Sequence, residues 1–592
     1  MRLIFTKDLP KNTKGSYIHF YNRIIDSNSW TSIENRQYIN NNIESWQNQL
    51  ATLHELVCQI GQKNYDDWWL TEASRLVAWY PKINKSLFFT VGLIRICEDL
   101  TIDEIYIVNA PKEVEILTRD AQPDWDIISN NRRYKEKSSI SALKNLLSPF
   151  SSIITMLKRS FKLSSPLPKD LANTKLIAFS NLIDFDLFQS SGDHYFGNMF
   201  DEISDLRSEN KLWIFLSELR SRNEERTVLS SLRSKSYRAF ILQDLLTLSD
   251  AAIILFRTGV FYFFSQRFKT KIPIISIDGL KFNSFGLFFY NETIKNKPPI
   301  LALQTKYAFK AIASKITTAS LFYPFEDKGI ERAILSQSSN LYTIGYAHAI
   351  HNSGHSYLKQ KKLGQGGPLW PNLIGCSGKA AAQWIENKKE INLDQLIIIG
   401  SKRYTNIIEK TKFNYNGALK VLVLAGEGSE ITMLANYVEQ NNAIFKNCEL
   451  TIRRYPYGFH EEQNEGIIRL KRSISDVKVE GGPLLKQIDN CDLAIYASTS
   501  AGIEAMLLGR ICIYVDLHHV VPLNCIESKG DTSFLFTADN PDKLEEVIKK
   551  IEHMTLQEYN DHAIKSRDFA ITLYSPVSKD KLKSLIFNTQ SS

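Results

Sequence analysis

The amino-acid sequence predicts an α/β protein built from doubly wound domains. Short apolar runs with strand character alternate with helical stretches along most of the chain, which is the pattern of parallel sheets covered by helices. Polar loops follow several of the predicted strands, and open α/β sheets bind ligands at that edge. A length of 592 residues exceeds what one hydrophobic core holds, so we expect two or three domains.

The composition is that of a globular chain, with 43% hydrophobic and 23% charged residues, and it excludes the disordered and fibrous classes. The seven cysteines are scattered without a C-x-x-C pair, and the N-terminus lacks the apolar core of a secretory signal. We therefore expect a reduced, cytoplasmic protein. The apolar stretch 251–264 is shorter than a membrane-crossing helix and contains Arg257, so it is predicted to be buried or interfacial.

Residues 1–84 are predicted to form a mainly helical extension packed on the first domain. A short strand is followed by a helical apolar period through IESWQNQLATLHELVCQIG. The adjacent Trp68 and Trp69 indicate a buried aromatic corner between domains. The strand at 104–109 is expected to belong to the first Rossmann-like domain, which we predict to span 85–412.

The stretch 141–163 combines apolar side chains at steps of three and four with the basic residues Lys144, Lys158, Arg159 and Lys162. A basic amphipathic helix of this kind can lie in the plane of an anionic leaflet. A core-packed surface helix with a solvated basic side has the same pattern. Both interpretations stay open at the level of sequence.

Candidate ligand contacts, which become acceptor contacts if the protein transfers a group, follow predicted strands of the first domain. Asp193 and His194 lie in the loop after a strand at 175–181, and His351 lies shortly after a strand at 342–346. A helix cap is the structural alternative for the aspartate. His348, His351 and His355 lie near this second strand, but their spacing does not place all three on one helix face, so a zinc site is not predicted.

Two residues are candidates for general acid–base chemistry. Glu326 follows a Tyr-Pro-Phe turn, where proline keeps the chain out of a helix, and His348 follows the strand at 342–346. A carboxylate and an imidazole at strand ends are groups that act in general base catalysis. The sequence does not decide which of the two is the base.

A second domain begins with the strand LKVLVL and a glycine-containing turn. The turn holds Gly426, Gly428 and Ser429, and it lacks the third glycine of a dinucleotide fingerprint. Its backbone amides are candidate anion ligands. Arg453 and Arg454 end the next predicted strand, where guanidinium groups could bind phosphate in a bidentate manner.

The most informative stretch is DLAIYASTSAGIEAMLLGRICIYVD at 492–516, within the predicted second domain 413–592. It is read as strand, loop, helix and strand. The hydroxyl residues of the loop are expected to cap the helix and to leave its first N–H groups facing an anion, while the acidic residue one turn later is expected to bind ribose hydroxyls. The candidate donor contacts are Ser498, Thr499, Ser500, Gly502 and Glu504.

These motifs together resemble glycosyltransferases of the GT-B class. The pattern S-T-S-x-G-x-E-A-x-x-x-G before an apolar strand is similar to their nucleotide-binding half. The strings G-Y-A-H-A, P-N-L-I-G-C-S-G, L-I-I-I-G-S-K-R-Y, D-D-W-W-L-T-E-x-S-R, D-H-Y-F-G and Y-P-F-E-D resemble a bacterial surface carbohydrate biosynthesis family, and they fall within 66–516. The resemblance implies two Rossmann-like domains facing across a cleft.

The resemblance also implies a cytoplasmic transferase that moves a sugar from a nucleotide-sugar donor to a surface glycan or lipid-linked glycan. It places Glu326 and His348 in the catalytic positions and residues 498–500 with Glu504 in the donor loop. Tyr455 stands where related sialyltransferases carry histidine, and a tyrosine brings no positive charge to phosphate. This departure argues against a sialyltransferase-like donor mode.

The expected partners follow from this resemblance. They are the nucleotide-sugar donor, the glycan acceptor and an anionic membrane surface contacted by 141–163, but not a nucleic acid. No D-x-D string follows a strand of the second domain, so we expect metal-independent transfer without a bound cofactor. Two alternatives remain, a nucleotide-sugar epimerase on the same scaffold and a non-catalytic scaffold protein of polysaccharide assembly.

Overall fold

The computed structural model contains two large parallel sheets, one small parallel sheet and a hairpin. It describes residues 2–6, 16–18, 32–64, 66–71, 82–99, 104–108, 112–129, 171–182, 185, 188, 192–201, 203, 205–217, 221–234, 237–295, 299–316, 318–351, 369–387, 395–404, 418–426, 428–454, 460–474, 476–517, 524–526 and 534–587. The stretch 141–163, predicted to meet a membrane, and Tyr455 lie outside these ranges.

The N-terminal part forms a sheet of its own. Its elements are β1 (Arg2–Thr6), β2 (Ser16–Ile18), α1 (Ser32–Asn64), α2 (Lys82–Asp99), β3 (Glu104–Val108), α3 (Lys112–Ala121) and β4 (Asp126–Ser129). The strands are parallel in the order β2-β1-β3-β4. The strand β3, expected in the first Rossmann-like domain, pairs instead with β1, because pairing partners are not encoded in the local pattern of either strand.

The first Rossmann-like domain follows. Its elements are β5 (Leu176–Leu182), β6 (Lys211–Ser217), α4 (Arg222–Ser234), β7 (Arg238–Ile241), α5 (Leu248–Phe268), β8 (Ile275–Ile277), β9 (Leu280–Phe282), α6 (Phe285–Tyr290), α7 (Ile300–Ala313), β10 (Ser320–Pro324), α8 (Gly329–Leu335), β11 (Tyr342–Ala347), β12 (Leu373–Cys376), α9 (Lys379–Asn387) and β13 (Leu396–Ile398). Seven parallel strands have the order β13-β12-β11-β10-β5-β6-β7. The direction of winding therefore reverses between β5 and β10, as in a doubly wound sheet.

This sheet is buried on both faces. Ile177 and Phe179 of β5 pack into one core cluster, and Leu176 and Ala178 pack into the cluster on the other face. Continuous apolar strands of this kind are expected where helices cover both sides of a parallel sheet. The strands β8 and β9 lie apart from the parallel sheets as an antiparallel hairpin.

The predicted aromatic corner is confirmed. Trp68 lies in a 3-10 turn, Trp68–Leu70, and its side chain is fully buried. Its ring centroid lies 6.1 Å from that of Phe264 and 5.2 Å from that of Phe268, both on α5. The turn therefore fixes the N-terminal part against the first Rossmann-like domain.

The second Rossmann-like domain has its own sheet and core. Its elements are β14 (Leu419–Leu424), α10 (Gly428–Gln440), β15 (Cys448–Arg453), α11 (His460–Ser473), β16 (Val477–Glu480), α12 (Leu484–Asp489), β17 (Leu493–Tyr496), α13 (Ala501–Leu507), β18 (Ile511–Val515), β19 (Phe536–Ala538), α14 (Pro541–Glu552), α15 (Leu556–Leu573) and α16 (Lys579–Phe587). The parallel order is β16-β15-β14-β17-β18-β19, with the reversal between β14 and β17. Two doubly wound domains, as the sequence predicted, are thus present.

The last helix returns to the first domain. In α16, Leu582, Leu585 and Ile586 pack into the same core cluster as Phe322 of β10. The hydroxyl of Ser320 donates a hydrogen bond of 2.6 Å to the carbonyl of Leu585. The C-terminal part of the predicted domain 413–592 therefore contributes to the first core as well.

Candidate functional site

Both large sheets carry predicted site residues at the edge where ligands bind in open α/β folds. In the first sheet, β10 ends just before Glu326 and β11 ends just before His348. In the second sheet, β14 ends just before Gly426 and β17 ends just before Ser498. The strands β14 and β17 are neighbours at the reversal of strand order, which is the position of the ligand crevice in such folds.

A strained turn presents Glu326. The next residue, Asp327, has a φ of 57°, a left-handed conformation that is uncommon for residues other than glycine. Arg332 holds the buried Asp327 carboxylate with two hydrogen bonds from Nη2, at 2.6 and 2.7 Å, and one from Nε at 3.0 Å. The Glu331 carboxylate accepts backbone N–H bonds from Glu326, at 3.0 Å, and from Asp327, at 2.9 Å. Buried carboxyl groups and the guanidinium of Arg332 therefore fix this backbone.

Glu326 and His348 meet at the end of the first sheet. The distance from His348 Nε2 to Glu326 Oε1 is 3.5 Å, and the other carboxylate oxygen pairs with Lys328. Burial lowers the pKa of His348 well below 6.5, so its imidazole is neutral. Its Nδ1 atom is buried and has no hydrogen-bond partner in the described part of the chain. The two predicted catalytic residues are thus adjacent.

The predicted acceptor contact Asp193 holds its own loop together. Its carboxylate accepts N–H bonds from Tyr195, at 2.9 Å, and Phe196, at 2.7 Å, and a bond from the Ser180 hydroxyl. These bonds match the structural alternative for Asp193, in which its side chain caps neighbouring backbone N–H groups. The neighbouring His194 has a pKa lowered to about 3, first by burial and then by the charge of Arg403.

His351 does not reach an open surface. It is 4% exposed, and its ring stacks on Trp384 with centroids 6.2 Å apart and lies 6.4 Å from Phe325. His351 therefore packs against aromatic side chains in this structure, and an acceptor contact at His351 stays a prediction. The chain turns inward after β11, which the sequence pattern does not reveal.

Arg403 links the two Rossmann-like domains. It follows β13 of the first sheet, and its Nη1 donates a hydrogen bond of 2.7 Å to Ser500 Oγ of the second domain. The same atom lies 3.3 Å from Glu504 Oε1 and 3.3 Å from the Tyr574 hydroxyl. Its charge also acts on His348. This half-buried cation therefore contacts the loop after β17, and its charge helps to lower the pKa of His348.

These contacts change two roles predicted for the donor loop. The Ser500 hydroxyl makes no capping bond to α13, because it accepts the Arg403 bond instead, and Thr499 Oγ1 accepts the N–H of Ala501 at 3.2 Å. Glu504, expected to meet ribose hydroxyls, pairs with Arg403. Burial raises the pKa of Glu504, and the charge of Arg403 opposes that shift.

The turn after β14 is closed by a carboxylate. The buried Glu430 side chain accepts the N–H of Gly426 at 2.7 Å and the hydroxyl of Ser498. An amide that already donates to a carboxylate is a poor ligand for a phosphate, so this contact gives no support to Gly426 as an anion ligand, and the anion site at 426–429 stays a prediction. Gly502 is a packing position as well, since a Cβ there would lie 2.6 Å from the Tyr496 ring.

The two arginines after β15 differ in their surroundings. Arg453 Nη1 donates to the carbonyl of Gly482 at 2.7 Å and to Gln487 Oε1 at 2.5 Å. The charge of Arg453 acts to lower the pKa of Glu504, at the junction where Arg403 meets Ser500 and Glu504. Arg454 is exposed. Arg453 is therefore the nearer of the two to the donor loop.

Two cations at the junction were not predicted from the sequence. Arg403 and Lys402 lie in the noted string L-I-I-I-G-S-K-R-Y, directly after a strand. Lys402 Nζ donates a bond of 2.5 Å to the carbonyl of Asp193, and burial lowers its pKa to about 8. The rule that ligands meet the carboxyl ends of strands would have selected both residues. Among the described residues, no three His, Cys, Asp or Glu side chains converge as a metal site.

Comparison with known proteins gives likeness of fold. The sequence matches no protein-family model and no curated protein. The UDP-GlcNAc 2-epimerase from Neisseria meningitidis bound to UDP-GlcNAc is similar over 70% of this chain and 99% of its own, with 8% identity and a TM-score of 0.42. A glycosyltransferase from Rickettsia africae is similar over 70% and 96%, with 11% identity and a TM-score of 0.38. Staphylococcus aureus MnaA with UDP is similar over 70% and 97%, with 9% identity and a TM-score of 0.42.

Proposed function

We propose that the protein is a glycosyltransferase that moves a sugar from a nucleotide-sugar donor to a hydroxyl group of a glycan or lipid-linked glycan. The observation that carries the proposal is the position of Arg403. It contacts the Ser500 hydroxyl at 2.7 Å in one domain, and its charge acts on His348 in the other. A fixed cation between an acid–base pair and a hydroxyl-lined loop suits a reaction in which an alcohol attacks and a phosphate leaves.

Glu326 and His348 form the base that removes the proton of the acceptor hydroxyl. The neutral imidazole is in the state that accepts a proton, and the carboxylate 3.5 Å from Nε2 stabilises the imidazolium that results. In the reverse assignment, the carboxylate takes the proton and the imidazole orients the hydroxyl. Either way, the turn fixed by Arg332 and Glu331 sets the distance between base and hydroxyl.

The leaving nucleotide phosphate binds at Arg403 with the hydroxyls of Thr499 and Ser500. In the absence of phosphate, the Arg403 guanidinium pairs with Glu504 through one contact of 3.3 Å. A doubly charged phosphate can bind the same guanidinium through two hydrogen bonds, which makes a stronger pair. The half-buried hydroxyls of the loop supply neutral donors. No bound metal is required for charge stabilisation in this scheme.

A nucleotide-sugar epimerase is the second candidate. Carboxylates lie on both sides of the junction, Glu326 in the first domain and Glu504 in the second, with Arg403 beside Glu504. An epimerase needs acid–base groups on both faces of one sugar. It would interconvert sugars or release nucleotide without any acceptor.

We further propose that the enzyme works in the cytoplasm at the inner face of the cell membrane and acts on a surface polysaccharide. This assignment follows the resemblance of the motifs to the surface carbohydrate biosynthesis family.

The test is turnover of UDP-, GDP- and CMP-sugars with and without a lipid-linked glycan acceptor. The wild type should release nucleotide only when the acceptor is present. Glu326→Gln should lower turnover by roughly a hundredfold, with donor affinity by calorimetry unchanged, because a general base contributes that much. Glu209→Gln, an exposed change of the same type, is the control.

Each other result has a defined meaning. Unchanged turnover in both Glu326→Gln and His348→Asn would remove this pair as the base. Sugar interconversion without acceptor would establish the epimerase. Failure of every nucleotide to bind the wild type would leave the scaffold role.

A further inference from the structure

Helix α5 leaves a broad apolar face open to solvent. The helix spans Leu248–Phe268, longer than the apolar stretch 251–264 expected from the sequence. Single exposed apolar side chains are ordinary, whereas several on one helix mark an interaction surface. Exposed fractions between 37% and 69% occur at Leu248, Ile253, Leu255, Phe256, Val260 and Phe263, and we call this set the α5 face.

The opposite side of α5 is part of the protein core. Ile254 and Phe261 are fully buried, and Arg257 pairs with the buried Asp67 at 3.3 Å. Of the helices in the described residues, α5 is the one long and apolar enough to cross a membrane by length and composition. Crossing would remove its buried side from the core and separate Arg257 from Asp67. Because its buried side stays in the core, α5 could meet a bilayer through its exposed side alone, with the helix axis parallel to the membrane surface.

The charges of α5 favour an anionic bilayer as the occupant of this face. Between Ala251 and Gln266 the only charged residue is Arg257, which pairs with Asp67. The helix then ends in a cationic group formed by Arg267 and the exposed Lys269 and Lys271. The guanidinium of Arg267 lies 4.5 Å from the centroid of the Phe263 ring. An apolar face with cations at one end is the pattern of helices that lie in the interface of an anionic leaflet.

We propose that the α5 face is a membrane-docking surface. Phe256, Val260 and Phe263 enter the boundary between headgroups and acyl chains of an anionic leaflet. Arg267 and Lys269 bind lipid phosphates at the C-terminal end of the helix. The buried side of α5 stays in the core, so the protein is held on the membrane without spanning it. Docking does not depend on the proposed enzymatic activity.

The docking helix is connected to the Glu326 turn through the 3-10 turn at Trp68–Leu70. Asp67, at the start of this turn, pairs with Arg257 of α5. The Trp69 ring lies 5.5 Å from the guanidinium of Arg332, which holds Asp327. The helix that follows Glu326 begins at Gly329, where a Cβ would lie 2.3 Å from the Leu70 carbonyl. If the proposed function holds, docking sets the orientation of the base toward a lipid-linked acceptor.

Vesicle flotation with the full-length protein tests the proposal. Vesicles of phosphatidylcholine with about 30% phosphatidylglycerol should carry the wild type to the top, and phosphatidylcholine alone should carry much less. Phe256→Ser with Phe263→Ser should lower the bound fraction by about tenfold, since the apolar contact is lost. Leu556→Ser with Ile564→Ser, at side chains 46% and 56% exposed in α15 of the second domain, is the matched control and should bind as the wild type does.

A second pair of variants examines charge. Arg267→Gln with Lys269→Gln should lower binding to anionic vesicles by roughly fivefold per charge and should not affect binding to neutral vesicles. Lys158→Gln with Arg159→Gln, in the stretch 141–163, should lower flotation less than Phe256→Ser with Phe263→Ser does, because the α5 face supplies the apolar contact. Circular dichroism and the melting temperature of each variant establish that it is folded.

Three results would overturn the proposal. One is a wild-type protein that stays at the bottom with anionic vesicles. Another is loss of flotation in the 158/159 variant with no loss in the 256/263 variant. The last is a wild-type dimer in light scattering that the 256/263 variant converts to a monomer without any change in flotation, since the face would then belong to a second copy.

Discussion

Arg403 donates a hydrogen bond of 2.7 Å to the hydroxyl of Ser500, and this bond joins the end of the first Rossmann-like sheet to the donor loop of the second. The side chain of Arg403 is 18% exposed, and that of its partner Glu504 is 15% exposed. A charge pair so little exposed is sensitive to any change of geometry.

Arg403→Lys should weaken nucleotide binding by about tenfold, because an ammonium group cannot form the bidentate contact that a guanidinium forms with phosphate. Calorimetry with UDP, GDP and CMP measures the effect. Arg472→Lys, an exposed change on α11, is the control. Equal affinities for wild type and Arg403→Lys would show that the phosphate binds elsewhere.

Gly426→Ala should separate the two loops at the reversal of the second sheet. A Cβ at this position would lie 2.4 Å from Ser498 Oγ and 3.1 Å from the Thr499 nitrogen. We expect a loss of about 1 to 3 kcal/mol in the free energy of unfolding and weaker nucleotide binding. Gly481→Ala is the matched control, because its Cβ would have no atom within 4 Å. Urea unfolding of both variants gives the comparison, and equal losses would contradict the steric explanation.

Arg332→Met should destabilise the protein by about 3 to 5 kcal/mol, because it removes the partner of a buried carboxylate. The double variant Arg332→Met with Asp327→Gly removes that carboxylate, and glycine adopts the positive φ of 57° without strain. It should therefore be more stable than the single variant by at least about 1 kcal/mol. Chemical denaturation measures both, and a double variant no more stable than the single one would refute the role given to charge burial.

The buried His348 and His194 should each lower the free energy of unfolding as pH drops below 6.5. Burial lowers the pKa of His348 well below 6.5 and that of His194 to about 3, so the unfolded chain binds protons that the folded protein does not. Each histidine then costs up to about 1.4 kcal/mol per pH unit in this range. The pKa of Glu331 is raised to about 8, chiefly by burial, and this group acts in the opposite direction, since its contribution is lost as pH rises toward 8.

His194→Gln should therefore reduce the loss of unfolding free energy between about pH 6.5 and 5.5. The exposed His553→Gln is the control and should keep the wild-type slope. Denaturant titrations at both pH values measure the difference between the variants. Because Glu331 is present in all three proteins, its opposing contribution cancels in the comparison. Parallel slopes for all three would mean that His194 titrates normally in the folded state.

Part of the site was predictable because of one rule. Glu326, His348 and Ser500 follow apolar strands in the sequence, and the carboxyl ends of parallel strands form the binding edge of an open sheet. Their neighbours in space were not predictable. The position of Arg403 after a strand marks it as a candidate, but its partner Ser500 lies 97 positions later and is not encoded in the local sequence.

Other residues that were predicted as ligands already make hydrogen bonds within the protein. Asp193 and Gly426 both lie after strands, as ligand-binding residues do. Their polar groups are used by neighbours, the carboxylate of Asp193 by two backbone amides and the amide of Gly426 by Glu430. A loop position alone does not reveal whether its polar groups are already satisfied.

The sequence by itself determined the α/β class, the doubly wound domains and the strand ends at which chemistry is expected, because apolar period and loop composition are local properties of the chain. The tertiary structure decided which strands pair, that β3 joins β1, and that Arg403 faces Ser500. It also decided which side of α5 remains open. Strand pairing and burial depend on contacts between residues far apart in the chain, and no short pattern contains them.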